Sequence, residues 1–176
     1  MLRVTTIREV VLADADALGR VHVEAWRVGY RGMMPDAFLA SLDGAARAAR
    51  WRELLGAPKE GRRRLVAIDD TATLVGFAMV GPARDEAGDR GELYAINVTP
   101  AAWGTGAATA LLAAATRALA ELGHREAILW VLRANARARR FYQREGWSME
   151  GDRRDTISEN GYTFDVDELR YVRAVG

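Results

Sequence analysis

The chain has 176 residues, 49% of them hydrophobic, and 25 basic against 24 acidic side chains leave a formal net charge of +1. That length suits one domain with a sizeable core, and the charge balance gives no global attraction to nucleic acid or to an anionic membrane. Cysteine is absent, which excludes disulfides, thiolate metal sites and a cysteine acyl-enzyme and makes a cytoplasmic location the default. No run approaches the roughly 18 apolar residues of a membrane helix. The opening stretch MLRVTTIREVVLADADA lacks the basic-then-apolar order of a signal peptide.

Residues Thr5 to Leu12 alternate and predict a first strand. Asp14 and Asp16 are N-cap candidates for a helix whose apolar stripe is Leu18, Val21, Ala25 and Trp26, interrupted by Gly29 and Gly32. Pro35 suits the first position of a second helix with Phe38, Leu39 and Leu42 on its apolar face. Ala45 to Leu55 predicts a further helix closed by Gly56 and Pro58. Leu65–Ile68 and Leu74–Val80 flank Asp69, Asp70 and Thr71 and read as an antiparallel hairpin. A polar loop from Gly81 to Gly91 leads to a strand, Glu92–Val98, and then to a helix from about Thr105 to Leu122 with Gly123 as its stop. Ala127–Leu132 is almost wholly apolar, the pattern of a strand covered on both faces. Ala136–Glu145 is a helix ended by Gly146. Two last strands, Ser148–Arg154 and Val166–Val172, are joined by a loop carrying Asn160 and Gly161.

The strand, the Gly/Ala turn and the long helix of ELYAINVTPAAWGTGAATALLAAATRALAELG put free backbone N–H groups and a positive helix end at one place. Three phosphate-binding readings compete for it. A P-loop needs Lys then Ser or Thr after its glycines, and Ala107 and Ala108 stand there. A dinucleotide fingerprint needs a third glycine where Thr109 stands, and a carboxylate near the end of the next strand, where Arg133 stands. The third reading fits. The segment resembles the acyl-CoA motif of the GCN5-related N-acetyltransferases (GNAT), Gln/Arg-x-x-Gly-x-Gly/Ala, laid on Trp103, Gly104, Thr105, Gly106, Ala107 and Ala108. Gly106 and Ala108 match, and Trp103 departs from the usual Gln or Arg. A Cβ at Gly106 would hold a phosphate away from the backbone. A bare Gly-rich turn that only starts a buried helix is the alternative for this motif taken alone.

The second stretch, LWVL, Arg133, Ala134, Asn135 and then ARARRFYQREGW, extends the resemblance, with Asn135 and Tyr142 matching in type and spacing and Phe141 and Gly146 completing it. The resemblance implies one α/β domain over residues 1–176: a mixed, mostly antiparallel, centrally splayed sheet with helices on both faces. The cosubstrate, acetyl-CoA, would lie in the gap between Glu92–Val98 and Ala127–Leu132. It would be held by Ile96, Asn97 and Val98 at an interrupted strand, by the amides of Gly104 to Thr109, and by Asn135, Phe141 and Tyr142. By the same resemblance the interruption is a bulge near Ile96–Val98 that bares an N–H for the developing oxyanion. Tyr142 resembles the general acid that serves the leaving thiolate. Read without the resemblance, Tyr142 is a core residue with its hydroxyl at the surface, and Asn135 a helix cap.

An amine acceptor arrives protonated, so a base or a water chain must take its proton. Glu92 is a candidate for that base and for acceptor contact, with a structural carboxylate at a strand edge as the alternative. His22 and Glu24, on the first helix that borders the acceptor site in this resemblance, are weaker candidates, and His124 reads as a cap or surface residue. Trp26 and Tyr30, with Met33 and Met34, are candidates to line the acceptor pocket, and the loop Ile157–Phe164 with Asp155 and Glu159 to cover it. Arg133, Arg137, Arg139, Arg140 and Arg144 read mainly as a solvated helix face, with one or two reaching the 3′-phosphate. The expected function is direct acetyl transfer from acetyl-CoA to a primary amine of a small molecule or peptide, without acyl-enzyme or metal. The alternative is a catalytically silent acyl-CoA sensor or interaction module. The resemblance also admits a homodimer. Neither nucleic acid nor membrane is an expected partner.

Overall fold

In the computed structural model the first strand stops earlier than the alternation suggests, for a reason that involves charge. The structure describes residues 5–85 and 88–176. Part of the opening stretch read for a signal peptide, residues 1–4, and part of the Gly81–Gly91 loop, residues 86 and 87, lie outside the described residues. Strand β1, Thr6–Glu9, pairs antiparallel with β2, Arg63–Ile68. A short 3-10 turn, Leu12–Asp14, then replaces the expected continuation. The Asp14 carboxylate accepts the Val11 N–H at 2.8 Å and two bonds from Arg8 at 2.7 and 2.8 Å. The Arg8 guanidinium first, then the Val11 amide, hold Asp14 below the usual carboxylate range against the opposing effect of burial. Asp14 therefore caps this turn, with no side-chain bond to the helix that follows.

That helix, α1 (Ala15–Gly29), buries Leu18, Val21 and Ala25 as its spacing predicts. Helix α2 is Asp36–Ser41, preceded by Pro35, and α3 is Gly44–Gly56. The start of α3 is set by Asp43, whose Oδ1 accepts the Ala46 N–H at 2.7 Å. Helices α1 and α3 approach closely at Gly19, where a Cβ would lie 2.7 Å from the Ala48 nitrogen and 3.0 Å from its Cβ. A valine there must push the helices apart, and overpacking of this kind costs about 1–3 kcal/mol. Gly19→Val is accordingly expected to lower the urea midpoint and the Tm by several degrees; an unchanged Tm would contradict the close approach.

The hairpin appears as β2 with β3 (Leu74–Pro82), followed by β4 (Gly91–Val98), helix α4 (Ala107–Glu121), β5 (Glu126–Leu132), α5 (Ala136–Arg144), β6 (Ser148–Glu159) and β7 (Tyr162–Ala174). The sheet order is β1-β2-β3-β4-β5-β7-β6, antiparallel except between β4 and β5. Those two pair over only three rows, Gly91↔Ala127, Glu92↔Ile128 and Leu93↔Leu129, and then part. The cause is visible on the other edge of β4. Met79 faces Ala95 while Val80 faces Leu93, so Tyr94 is an extra residue with no partner on β3. The bulge is thus at Tyr94, and it displaces the expected position: Ile96, Asn97 and Val98 pair in regular register with Ala78, Phe77 and Gly76.

The expected loop Ile157–Phe164 is also corrected. Strands β6 and β7 run on to a tight turn at Asn160–Gly161, with φ of 52° and 76°, and the flanking residues pair as strand. Helix α4 covers one face of the sheet through Leu111, Leu112, Ala115 and Leu119 against Ala78, Leu93 and Leu129. Helices α1 and α3 cover the other through Leu18, Val21 and Trp51 against Val66 and Phe77. The alternation of β3, Phe77 one way and Ala78 the other, makes this a three-layer arrangement with the parallel β4–β5 seam left open past Leu93.

Candidate active site

The open seam is a cleft of about 570 Å³. Its walls are the end of α1, strand β4 from Leu93 to Val98, the turn before α4, the middle of β5 and the inner face of α5. It brings together most of the residues singled out by sequence: Trp26 and Tyr30; Ile96, Asn97 and Val98; Trp103, Gly104, Gly106, Ala108 and Thr109; Asn135, Phe141 and Tyr142. Thr105 and Ala107 do not line it. Thr105 turns its hydroxyl to donate to the Ala102 carbonyl at 2.7 Å, and Ala107 packs in the core beneath α4.

The turn before α4 is shaped by two glycines with positive φ, Gly104 at 75° and Gly106 at 96°. Gly106 is the N-cap residue, and no side chain caps the helix among the described residues. The first amides of an α-helix lack intrahelical acceptors, and its N-terminus carries positive potential. The cleft therefore has an anion-binding end built from main chain. Trp103 flanks it, its Nε1 donating to the Val98 carbonyl at 3.2 Å.

Across the cleft, α5 begins at Asn135, whose Oδ1 accepts the Ala138 N–H at 3.0 Å. Asn135 is thus a helix cap that also faces the cleft. Two turns on, Tyr142 is buried. Burial pushes its phenol well above the ordinary tyrosine range, Tyr30 adds to this, and Arg137 opposes it. Tyr30, just past the end of α1, is pushed up to about 12 by burial, with Glu168 adding and Arg137 opposing. Both phenols keep their protons at neutral pH, so each can donate and neither can act as a base.

Glu92 is placed differently from the expectation. It is buried, does not line the cleft, and is taken up by Arg84: Oε2 accepts the Arg84 backbone N–H at 2.8 Å, and Oε1 accepts Nε at 3.1 Å and Nη2 at 2.5 Å. It ties the β3–β4 connection to the foot of β4. Glu24 pairs loosely with Arg20 at 3.8 Å, and His124 Nδ1 sits 2.9 Å from the Asp89 carbonyl. Met34 belongs to a separate apolar cluster with Phe38 and Leu42, and neither it nor Met33 lines the cleft. Asp155 pairs with Arg153 at 3.2 Å and Glu159 with Arg47. Of the helix arginines, Arg137, Arg140 and Arg144 line the cleft, while Arg133 is bound to Asp152 at 2.5 Å and Arg139 to the Arg133 carbonyl at 3.0 Å.

His22 packs between Trp26 and Phe77, at ring distances of 5.2 and 5.5 Å, with both ring nitrogens buried and without a hydrogen-bond partner. Burial, aided by Arg47, lowers its pKa to about 3. The unfolded ring titrates at about 6.5. Between these values the unfolded chain holds a proton that the folded chain refuses, so this contribution to stability is full above about pH 6.5 and falls away as the pH drops toward 3. At pH 5 the loss is about 2 kcal/mol relative to pH 7. Urea unfolding at the two pH values is expected to show that loss in the wild type and to show it much reduced in His22→Phe.

Tyr94 and Trp130 are cleft residues that the sequence did not single out. Tyr94, the bulged residue, lines the cleft, with its ring under Arg62 and Arg84 and its hydroxyl donating to the Pro82 carbonyl at 2.5 Å. Trp130 faces the cleft from a strand expected to be covered on both sides, stacked under Arg153 at 3.9 Å and Arg170 at 5.5 Å. A tryptophan amid the smaller apolar residues of β5 was the available signal.

The sequence model described as the Acetyltransferase (GNAT) family matches residues 25–147. The N-acetyltransferase YuaI of Bacillus subtilis is 35% identical over 133 residues, 74% of this chain and 73% of the relative. The fold is similar to that of the PaiA N-acetyltransferase from Thermoplasma acidophilum in complex with coenzyme A, with a TM-score of 0.76 at 18% identity over 97% of this chain and 99% of that one. It is also similar to that of a phosphinothricin acetyltransferase from Sinorhizobium meliloti in complex with acetyl-CoA, with a TM-score of 0.70 at 23% identity over 98% and 89%.

Proposed function

The chain belongs to the acetyltransferase (GNAT) family, and from that premise we propose that it transfers an acetyl group from acetyl-CoA directly to a primary amine. The observation that supports this most is the cleft itself: a main-chain anion site at one end and a protonated, buried phenol on the inner wall, joined by the seam that β4 and β5 leave open. The donor supplies an activated acyl thioester. Gly104, Gly106, Ala108 and Thr109 would hold its diphosphate with backbone N–H groups, and the free edge of β4 at Ile96–Val98 would hold its pantetheine arm. Asn135 and Phe141 line the same passage.

Tyr142 holds a proton at its hydroxyl for the departing thiolate. Because it stays neutral at assay pH, it is always in the donating form. Trp26 and Tyr30 line the end of the cleft nearest α1 and are the acceptor-binding residues of this reading. The acceptor's proton leaves through water, since Arg84 already occupies both oxygens of Glu92. The reading takes the chain as one catalytic domain without metal. A cytoplasmic location rests on the cysteine-free composition, the lack of nucleic-acid or membrane partners on the balanced charge, and a homodimer on family resemblance alone.

The test is a panel of small amines and peptides incubated with acetyl-CoA while free thiol is measured, alongside calorimetric titration with CoA. CoA uptake with amine-dependent thiol release is the expected result. CoA uptake with no turnover on any amine would favour the silent binding module, and no uptake by folded protein would end both readings.

A further inference from the structure

Arg137, in the first turn of α5, reaches out of its own helix to two other walls of the cleft. Its guanidinium carbon lies 3.6 Å from the centroid of the Trp103 ring. Its Nη2 lies 3.8 Å from where a Cβ would stand on Gly29, the last residue of α1. The carbonyl end of α1 carries negative potential that favours a cation. No carboxylate pairs with Arg137 among the described residues, in contrast to Arg133, Arg153 and Arg170. An arginine that faces a cleft without an acidic partner is held there only by ring and dipole contacts, which are weaker than charge-assisted bonds to an anion.

The position of this cation is what gives it meaning. Trp103 is the residue immediately before the Gly104–Gly106 turn, so the guanidinium lies over a ring that adjoins the turn into α4, and both line the same cleft. The helix end supplies about half a unit of positive charge, less than a diphosphate carries, and main chain contacts only one side of such a group. The Trp103 indole is itself tethered to the Val98 carbonyl, which fixes the parking place.

We propose that Arg137 is a donor-selecting clamp: it leaves the Trp103 ring for the diphosphate of the bound donor, and thereby makes the cleft prefer CoA over pantetheine, which has the same thiol arm and no phosphate. The proposal rests on the reading of the cleft as an acyl-CoA site. In the clamped state the planar fork of Arg137 donates N–H bonds to phosphate oxygens from the side opposite the α4 amides. Trp103 is then uncovered, so its emission reports the movement.

The experiment measures binding of CoA and of pantetheine, by calorimetry with displacement for the weaker ligand, to wild type, Arg137→Gln, Arg137→Lys and Trp103→Phe. Arg137→Gln is expected to weaken CoA at least tenfold and pantetheine less than twofold. Arg137→Lys, which keeps the charge but loses the planar fork, is expected to recover CoA affinity only in part, between Arg137→Gln and wild type. Because Trp26 and Trp130 also line the cleft, the signal of Trp103 is read as the difference between the CoA-induced emission changes of wild type and Trp103→Phe, and that difference is expected to be clear. Equal weakening of both ligands by Arg137→Gln, CoA affinity within twofold of wild type in that variant, no recovery with lysine, or an emission change of the same size in wild type and Trp103→Phe would each overturn the clamp. Failure of the wild type to bind CoA would instead remove the acyl-CoA reading on which it stands.

Discussion

Tyr142→Phe is expected to lower kcat by about 10²–10³-fold while CoA binds within twofold of wild type. The magnitude is that of a positioned general acid. The separation of turnover from binding follows from the geometry. Phenylalanine keeps the ring contacts of Tyr142 with Phe141, Trp147 and Tyr171, at centroid distances of 5.4, 6.4 and 6.3 Å, so the inner wall of the cleft survives. Only the hydroxyl is lost, and with it the proton held for the thiolate. Burial keeps that phenol protonated well beyond neutral pH, so the loss should be the same across pH 6 to 9, where no titration of Tyr142 intervenes. A variant with unimpaired turnover, or one whose deficit appears equally in CoA affinity, would remove Tyr142 from the chemistry and return it to the core.

The second large effect concerns Gly106. Its φ of 96° is a conformation that an L side chain adopts at a cost of about 1–2 kcal/mol. Gly106→Ala is therefore expected to lower the Tm by a few degrees and, because the new Cβ stands at the anion end of the cleft, to weaken CoA at least tenfold. Gly123→Ala separates the two causes. Gly123 has a φ of 92° just beyond the other end of α4, and a Cβ there meets nothing within 4 Å. It carries similar backbone strain away from the cleft, so its Tm should fall by a comparable amount with CoA binding intact. If both variants lost CoA affinity equally, general loosening of α4 would explain the result, and the main-chain cradle would have no support.

The parts of the site that could be read directly from the residues are those made within a short stretch of chain. Asn135 and Tyr142 lie seven positions apart on one helix, which places both on the same face whatever else packs around them. Gly104 and Gly106 stand where a strand must turn into a helix, and the turn needs their positive φ. The misreadings share the opposite character. Glu92 looks like a free carboxylate at a strand edge until Arg84 folds back on it from the loop. Trp130 looks like core until the seam opens beside it and Arg153 and Arg170 stack on its faces. The Asn160–Gly161 pair marked a turn, and the long strands on either side of it depend on partners that only the hairpin register supplies.

Local chemistry in the residue order was enough to determine the succession of elements, the glycine-shaped start of α4, the cap at Asn135, and the family to which the chain belongs. These depend on contacts between neighbours a few positions apart, which any conformation of the rest of the chain leaves available. Tertiary structure alone decided where β4 bulges, which carboxylates are free, and which cation faces the cleft. The bulge at Tyr94 exists only in register against Met79 and Val80, Glu92 is silenced only by Arg84, and Arg137 meets Trp103 only when α5 closes over the seam. Each is a contact between segments distant in the chain, whose energy is realised only after the sheet has brought them together.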